Sequence, residues 1–116
     1  MALQNRSLTH AERTTQLTHT AATTVLTPLL INSRVWIPLN TASANALNAY
    51  LWQGEISDAP TNAPEAWAAG DKIYWDNTNS RFTNVATSNT LCGHAIEPKA
   101  SAATTSGLIF FNTFAA

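Results

Sequence analysis

Charge is what this 116-residue sequence has least of. Asp, Glu, Lys and Arg make up 11% of it, and the net charge is -1, where ordinary soluble domains carry roughly a quarter charged residues. Its six basic residues, Arg6, Arg13, Arg34, Lys72, Arg81 and Lys99, are scattered along the chain. Gripping nucleic acid takes clustered Lys and Arg to neutralise phosphates, so no nucleic-acid partner is expected. Cysteine is reduced to Cys92; an internal disulfide is impossible and no oxidising compartment is implied. No run approaches the about eighteen apolar residues of a membrane-spanning helix, and the first residues lack the apolar core of a secretory signal. The expectation is a protein without a membrane partner, made in a cytoplasm.

Ala, Thr and Asn stand where the charges are missing. They make a neutral surface rich in hydrogen-bonding groups, suited to a protein packed among neighbours, where buried charges would need partners. The plain alternative is a compositional bias without functional meaning. The length fits one domain with a modest core.

Residues 1–14 are polar and without sustained periodicity, and read as an N-terminal arm outside a single β domain over 15–116; a short helix around 9–16 is the other reading. Pro28, between Val25-Leu26-Thr27 and Leu29-Leu30-Ile31, suits an edge strand or the junction of two strands. Val35, Ile37 and Leu39 share one face by the strand period of two. A loop over 40–45 leads to a strand somewhere within 46–56, around Tyr50-Leu51-Trp52. The Pro and Asn of 58–64 predict a loop. Glu65 to Ala69 reads as one helical turn, ended by Gly70 in a left-handed or turn conformation. Lys72-Ile73-Tyr74-Trp75-Asp76, the turn cluster Asn77-Thr78-Asn79-Ser80, Arg81 to Val85 and the strand holding Leu91-Cys92-Gly93-His94-Ala95 follow the grammar of an antiparallel sheet. After a loop over 98–107, Leu108 to Phe114 forms a terminal strand with aromatic residues on both faces. The fold class is therefore all-β: a small antiparallel β-barrel or jelly-roll-like sandwich with an extended arm.

Little here carries reaction chemistry. Cys92 and His94, two apart, would share a strand face, which is the minimum for a nucleophile and its base. No elbow or orienting motif accompanies them, and a buried Cys beside a satisfied His is the simpler reading. His10 and His19 are too distant to complete a metal site. Neither a metal nor a cofactor is expected. Trp36, Trp52, Trp67 and Trp75 read as core or subunit packing before they read as a sugar-binding platform. Asp71 and Asp76 sit where turns need caps.

The run Gly70-Asp71-Lys72-Ile73-Tyr74-Trp75-Asp76, the strand Ser88-Asn89-Thr90-Leu91-Cys92-Gly93-His94-Ala95 and the terminal strand together resemble the tailed-phage capsid cement, or decoration, family. The resemblance covers about residues 45–114, with Tyr50 to Ile56 similar to the family's preceding strand, and is weak before them, where the family's glycine-rich strand pair is replaced by Pro28, Asn32, Ser33 and Trp36. It implies a structural role for Gly70, Asp71, Tyr74, Trp75, Asp76 and Gly93. It also implies a homotrimer on the outer surface of an expanded phage head, with the major capsid protein as partner. On this reading Leu3, Arg6, Leu8 and Arg13 anchor the arm to the capsid, and Phe110, Phe111 and Phe114 form the subunit interface. Some members of the family carry a recombinase label, but a phosphate-cradling loop needs a glycine five residues before Gly-Lys; here Asp71 separates Gly70 from Lys72, and position 65 is Glu. The other functional classes are a surface carbohydrate-binding β module and an enzyme built on Cys92.

Overall fold

The computed structural model describes residues 14–116. They form nine strands and no helix: β1 (Thr14–Thr18), β2 (Leu29–Ile31), β3 (Arg34–Pro38), β4 (Leu47–Leu51), β5 (Gln53–Ile56), β6 (Lys72–Asp76), β7 (Arg81–Thr83), β8 (Thr90–Ala95) and β9 (Ile109–Asn112). A four-stranded sheet runs β1-β4-β3-β2 and a five-stranded sheet runs β5-β9-β8-β6-β7. Every strand pairing is antiparallel, so the all-β expectation holds. The arm residues Leu3, Arg6, Leu8 and Arg13 lie outside the described residues. Thr14 to Gln16, which the alternative reading placed in a helix, belong to β1.

Local chemistry sets the turns. Ile31 pairs with Arg34, leaving Asn32 and Ser33 as a two-residue loop, both at positive φ (51° and 67°). Positive φ at both positions is the hairpin geometry whose twist matches the strands it joins, and Asn tolerates it well. The β6–β7 turn is held by the Asp76 carboxylate, which accepts from the backbone N–H of Thr78 (3.1 Å) and Asn79 (3.1 Å) and from Asn79 Nδ2 (2.8 Å). Pro28 leads directly into edge strand β2, while Val25 and Leu26 form a turn and no strand.

Two expectations about the middle of the chain need correction. The segment 46–56 is two strands, because at Trp52 the chain leaves the first sheet and enters the second as β5. Residues 65–69 make no helical turn. Trp67 lies extended against Lys99, each donating its N–H to the other's carbonyl (3.0 and 3.1 Å). Ala68 and Ala69 favour helix locally, but pairing with a distant segment satisfies the backbone better than one isolated turn does.

The core lies between the sheets. Val35 and Ile37 of the first sheet meet Ile73, Trp75, Phe82, Cys92, Ala95, Ile109 and Phe111 of the second, joined by Ala59 and Trp67 from the long β5–β6 loop. A buried hydrogen bond from Thr113 Oγ to the Val35 carbonyl (2.7 Å) stitches the end of β9 to β3.

In β8 the register slips: Ile73 pairs with Gly93, but Tyr74 pairs with Leu91. Cys92 is the extra residue of a β-bulge, which breaks the period of two. Cys92 and Ala95, three apart, both enter the core, while His94 stays half-buried. The expected sharing of a face by Cys92 and His94 is thereby undone.

Two glycines are needed for different reasons. At Gly93 an added Cβ would meet the Phe110 carbonyl oxygen at 2.1 Å, a backbone atom that cannot move aside without parting β8 from β9. At Gly70 nothing lies within 4 Å, but φ is +91°. Gly70→Ala should cost about 1–2 kcal/mol, the backbone penalty alone. Gly93→Ala should cost more, about 3 kcal/mol or above, because a strand pair must separate. Urea unfolding midpoints of the two variants check the order; equal losses would contradict it.

Candidate interaction surfaces

Two long loops carry an irregular antiparallel ribbon beside the second sheet. Residues 57–71 and 96–108 pair from Ala95–Gly70 through Lys99–Trp67, Ser101–Glu65 and Thr104–Thr61 to Ser106–Asp58 by backbone hydrogen bonds of 2.7–3.1 Å. Lys99, only 5% exposed, locks the ribbon. Its Nζ donates to the carbonyls of Asn62 (2.9 Å), Glu65 and Ala100 (3.3 Å), and lies 5.7 Å from the centroid of the Trp67 ring. The Glu65 carboxylate accepts from Trp67 Nε1 (2.7 Å), Thr83 Oγ (3.0 and 2.9 Å) and the Asn84 N–H (2.8 Å). Partial burial works to raise its pKa, but these donors outweigh it and hold the carboxyl below its ordinary value. The cluster is polar, closed and fully occupied by its own chain, which is the design of a structural joint.

The residues with reactive side chains are spent in the same way. Burial pushes the Cys92 thiol far up, and Cys92 Sγ donates to the Ile73 carbonyl at 3.6 Å. A thiol so placed is a core side chain, not a nucleophile. Asp71 accepts from the Ala68 N–H (2.8 Å) and caps the turn before β6. Asp76 is held below its ordinary value, first by the Asn79 side chain. It also faces Arg81 at 3.7 Å.

At the seam between the sheets an aromatic group reaches the surface. Phe114, 52% exposed, stands edge-to-face with Trp36 (centroids 5.7 Å, 89°) and Trp52 (6.2 Å, 61°). Trp36 in turn meets Tyr50 (6.4 Å, 78°). The Arg34 guanidinium lies 5.2 Å over the Phe114 ring, and its Nη1 donates to the Thr113 carbonyl at 3.4 Å. Phe114 is fixed from behind by its own N–H on Asn112 Oδ1 (2.9 Å) and by the Thr113 N–H on the Trp52 carbonyl (2.8 Å). Preordered aromatic and Arg side chains are the composition of binding hot spots. The steep angles between the rings leave no flat platform of the kind a sugar ring stacks on, and Trp67 and Trp75 are buried.

A second opening, an apolar cleft of about 510 Å³, is lined by Leu26, Pro28, Ile37, Ile56, Trp75 and Phe82 among others. Leu26 at its rim is 67% exposed and left-handed (φ 58°), held there by its N–H on the Pro38 carbonyl (2.8 Å).

The three phenylalanines named from the sequence part company here. Phe111 is fully buried in the protomer's own core, Phe110 is half-buried on the other face of β9, and Phe114 is exposed. Tyr74 is half-buried, Trp75 and Gly93 are buried, and Gly70, Asp71 and Asp76 sit at the turns flanking β6. Sequence reasoning missed Arg34, Glu65 and Lys99. The one available signal was the scarcity of charge, which makes each remaining ion worth placing.

Glu65 gives a pH test. Its folded-state pKa is depressed, so its contribution is present above the unfolded value of 4.5 and is lost as pH falls through the folded one. Glu65→Gln should lower stability at pH 7 and flatten its decline below about pH 4.5. Thermal melts of both proteins between pH 3 and 7 check this; parallel curves would contradict it.

Compared with known protein families, residues 9–109 match the sequence model described as phage cement protein. No curated protein and no solved structure matches the chain.

Proposed function

This chain belongs to the phage cement protein family, and on that premise we propose that it binds the outer surface of the expanded head as a homotrimer and stabilises contacts between neighbouring major capsid subunits. The family assignment carries a capsid role; the match over residues 9–109 is the observation on which the reading rests. The structure supports it by what its ionisable groups do: Glu65, Asp71, Asp76 and Lys99 cap turns and join loops, and the Cys92 thiol is buried. We therefore read the protein as structural and non-catalytic, made in the host cytoplasm and carried on the virion.

The mechanism is one of repeated weak contacts. Each trimer offers three copies of one surface, and once one copy binds the others act at high effective concentration, raising apparent affinity by about 10²–10⁴. A ligand that binds the assembled shell better than dispersed subunits stabilises the shell by mass action. The arm is assigned to the capsid over residues 1–13, since Thr14 belongs to β1, with Leu3 and Leu8 as apolar anchors and Arg6 and Arg13 as ionic ones. The subunit contact of the terminal strand is assigned to Phe114, with Phe110 beside it, because the Phe111 side chain is enclosed within the protomer.

The test is co-sedimentation of the purified protein with expanded, undecorated heads and with unexpanded procapsids. Saturable binding to expanded heads alone is expected. Deleting residues 1–13 should abolish that binding while leaving the oligomer intact. Binding to neither particle would overturn the cement reading, and undiminished binding of the truncated chain would overturn the role of the arm.

A further inference from the structure

The apolar cleft of about 510 Å³ brings the core to the surface: its lining includes the buried Ile37, Trp75 and Phe82 beside the exposed Leu26. Three of its lining residues, Leu26, Asp58 and Ser80, hold a left-handed backbone without being glycine (φ 58°, 54° and 52°). Asn and Asp accept that conformation readily, whereas a bulky Leu is an outlier there, and such outliers gather at binding sites. Asp58 is the charged residue of the lining, and no cation shares it. The Asp58 N–H donates to the Ser106 carbonyl at 3.1 Å, while its carboxylate has no hydrogen bond or ion pair among the described residues. The cleft is therefore suited to an apolar side chain that brings a cation with it.

The protein's own surface carries that combination. Phe114 is exposed, and the Arg34 guanidinium lies 5.2 Å from the centroid of its ring. Lys72 is exposed too, but among the described residues no aromatic ring lies against it, and Lys99, over Trp67, is buried. Neither Phe114 nor Arg34 lines the cleft of its own chain. Resting on the homotrimer reading above, we propose that Phe114 of one copy enters the cleft of the next, where Leu26 packs on its ring and Asp58 binds the Arg34 that accompanies it. Pockets of about 300–1,000 Å³ enclose whole small ligands, so one phenylalanine side chain has room. Knob and cleft are different patches, so the contact runs head to tail, and a closed ring of three leaves no knob or cleft unfilled. It takes Leu26 and Phe114 out of water and joins a carboxylate to a guanidinium, the stronger kind of hydrogen-bonded pair. Arg34 is already held by the Phe114 ring and the Thr113 carbonyl, so little side-chain freedom is lost on contact.

A charge swap tests this without any capsid present. Sedimentation velocity over a range of concentrations is run on the full chain, on Arg34→Glu, on Asp58→Lys and on the double variant, with a thermal melt of each to confirm folding. The native chain should sediment as a trimer, each single variant should shift towards monomer, and the double variant should recover the trimer. Leu26→Asn suits the left-handed backbone and should fold as well as the native chain, yet weaken each contact by about tenfold or more. It keeps the test open should a charge reversal prove unfoldable. Lys72→Glu and Glu55→Lys, changes outside the contact, should leave the trimer unmoved. A native monomer at all concentrations, folded Arg34→Glu and Asp58→Lys variants that remain trimeric, or a Leu26→Asn chain that associates as tightly as the native one would each overturn the proposal. So would loss of the trimer in Lys72→Glu with recovery on adding Asp58→Lys, since the cleft would then receive a different cation. A trimer that obeys the swap yet binds no expanded heads would leave this contact standing and remove the cement reading; one that ignores the swap yet binds heads would do the reverse.

Discussion

The buried ammonium of Lys99 is the constraint on which the rest of this fold depends. In a chain with no helix among its described residues and few charges, the two longest loops must find partners for their own backbone. Lys99 supplies three donors to carbonyls on both loops, each such charge-assisted bond contributing about 1.5–3 kcal/mol when desolvation is met. Glu65 serves the same joint from both its ends. Its carbonyl accepts from Lys99, and its carboxylate turns to Thr83 and Asn84 at the end of β7. Two loops and an edge strand are thus tied at one point, and Trp67 is held over it as a lid.

Rigidity at that joint has a consequence at the surface. With the β5–β6 loop fixed, Ala59 and Trp67 complete the core beneath the second sheet. The sheets are then joined at the seam by Thr113, whose hydroxyl reaches the Val35 carbonyl and whose N–H reaches that of Trp52. Phe114, the next residue, emerges at a defined place beside Arg34. A protein that ties a shell together gains most from surfaces already in their bound form, because ordering them on contact would subtract from affinity. The scarcity of charge serves the same end, since uncompensated ions in a crowded interface would each need a partner.

Much of the second sheet was legible in the residues. β6 and its turn follow from an alternating aromatic run closed by Asp76 and Asn79, β8 from an apolar run cut by Gly93, and β9 from the aromatic run that follows the loop over 98–107. What escaped were features decided by distant partners. Nothing near Trp52 announces that the chain changes sheets there, because the switch depends on β9 lying beside β5. The bulge at Cys92 inverts which neighbours face the core, and a period of two carries no sign of it. Residues 65–69 have a helical composition, yet Lys99, more than thirty positions on, draws them out straight. The candidate surface was half visible: Phe114 stood out as an aromatic residue at the end of a strand, whereas Arg34 gains its place only from the fold.

A preformed domain that binds the assembled shell in preference to free subunits must stabilise that shell. Differential scanning calorimetry of expanded heads, with and without a saturating amount of the protein, tests it most directly. The capsid transition should move to higher temperature and continue to rise with the concentration of free protein. A transition unmoved at full occupancy would show attachment without stabilisation, and the cementing role would fall.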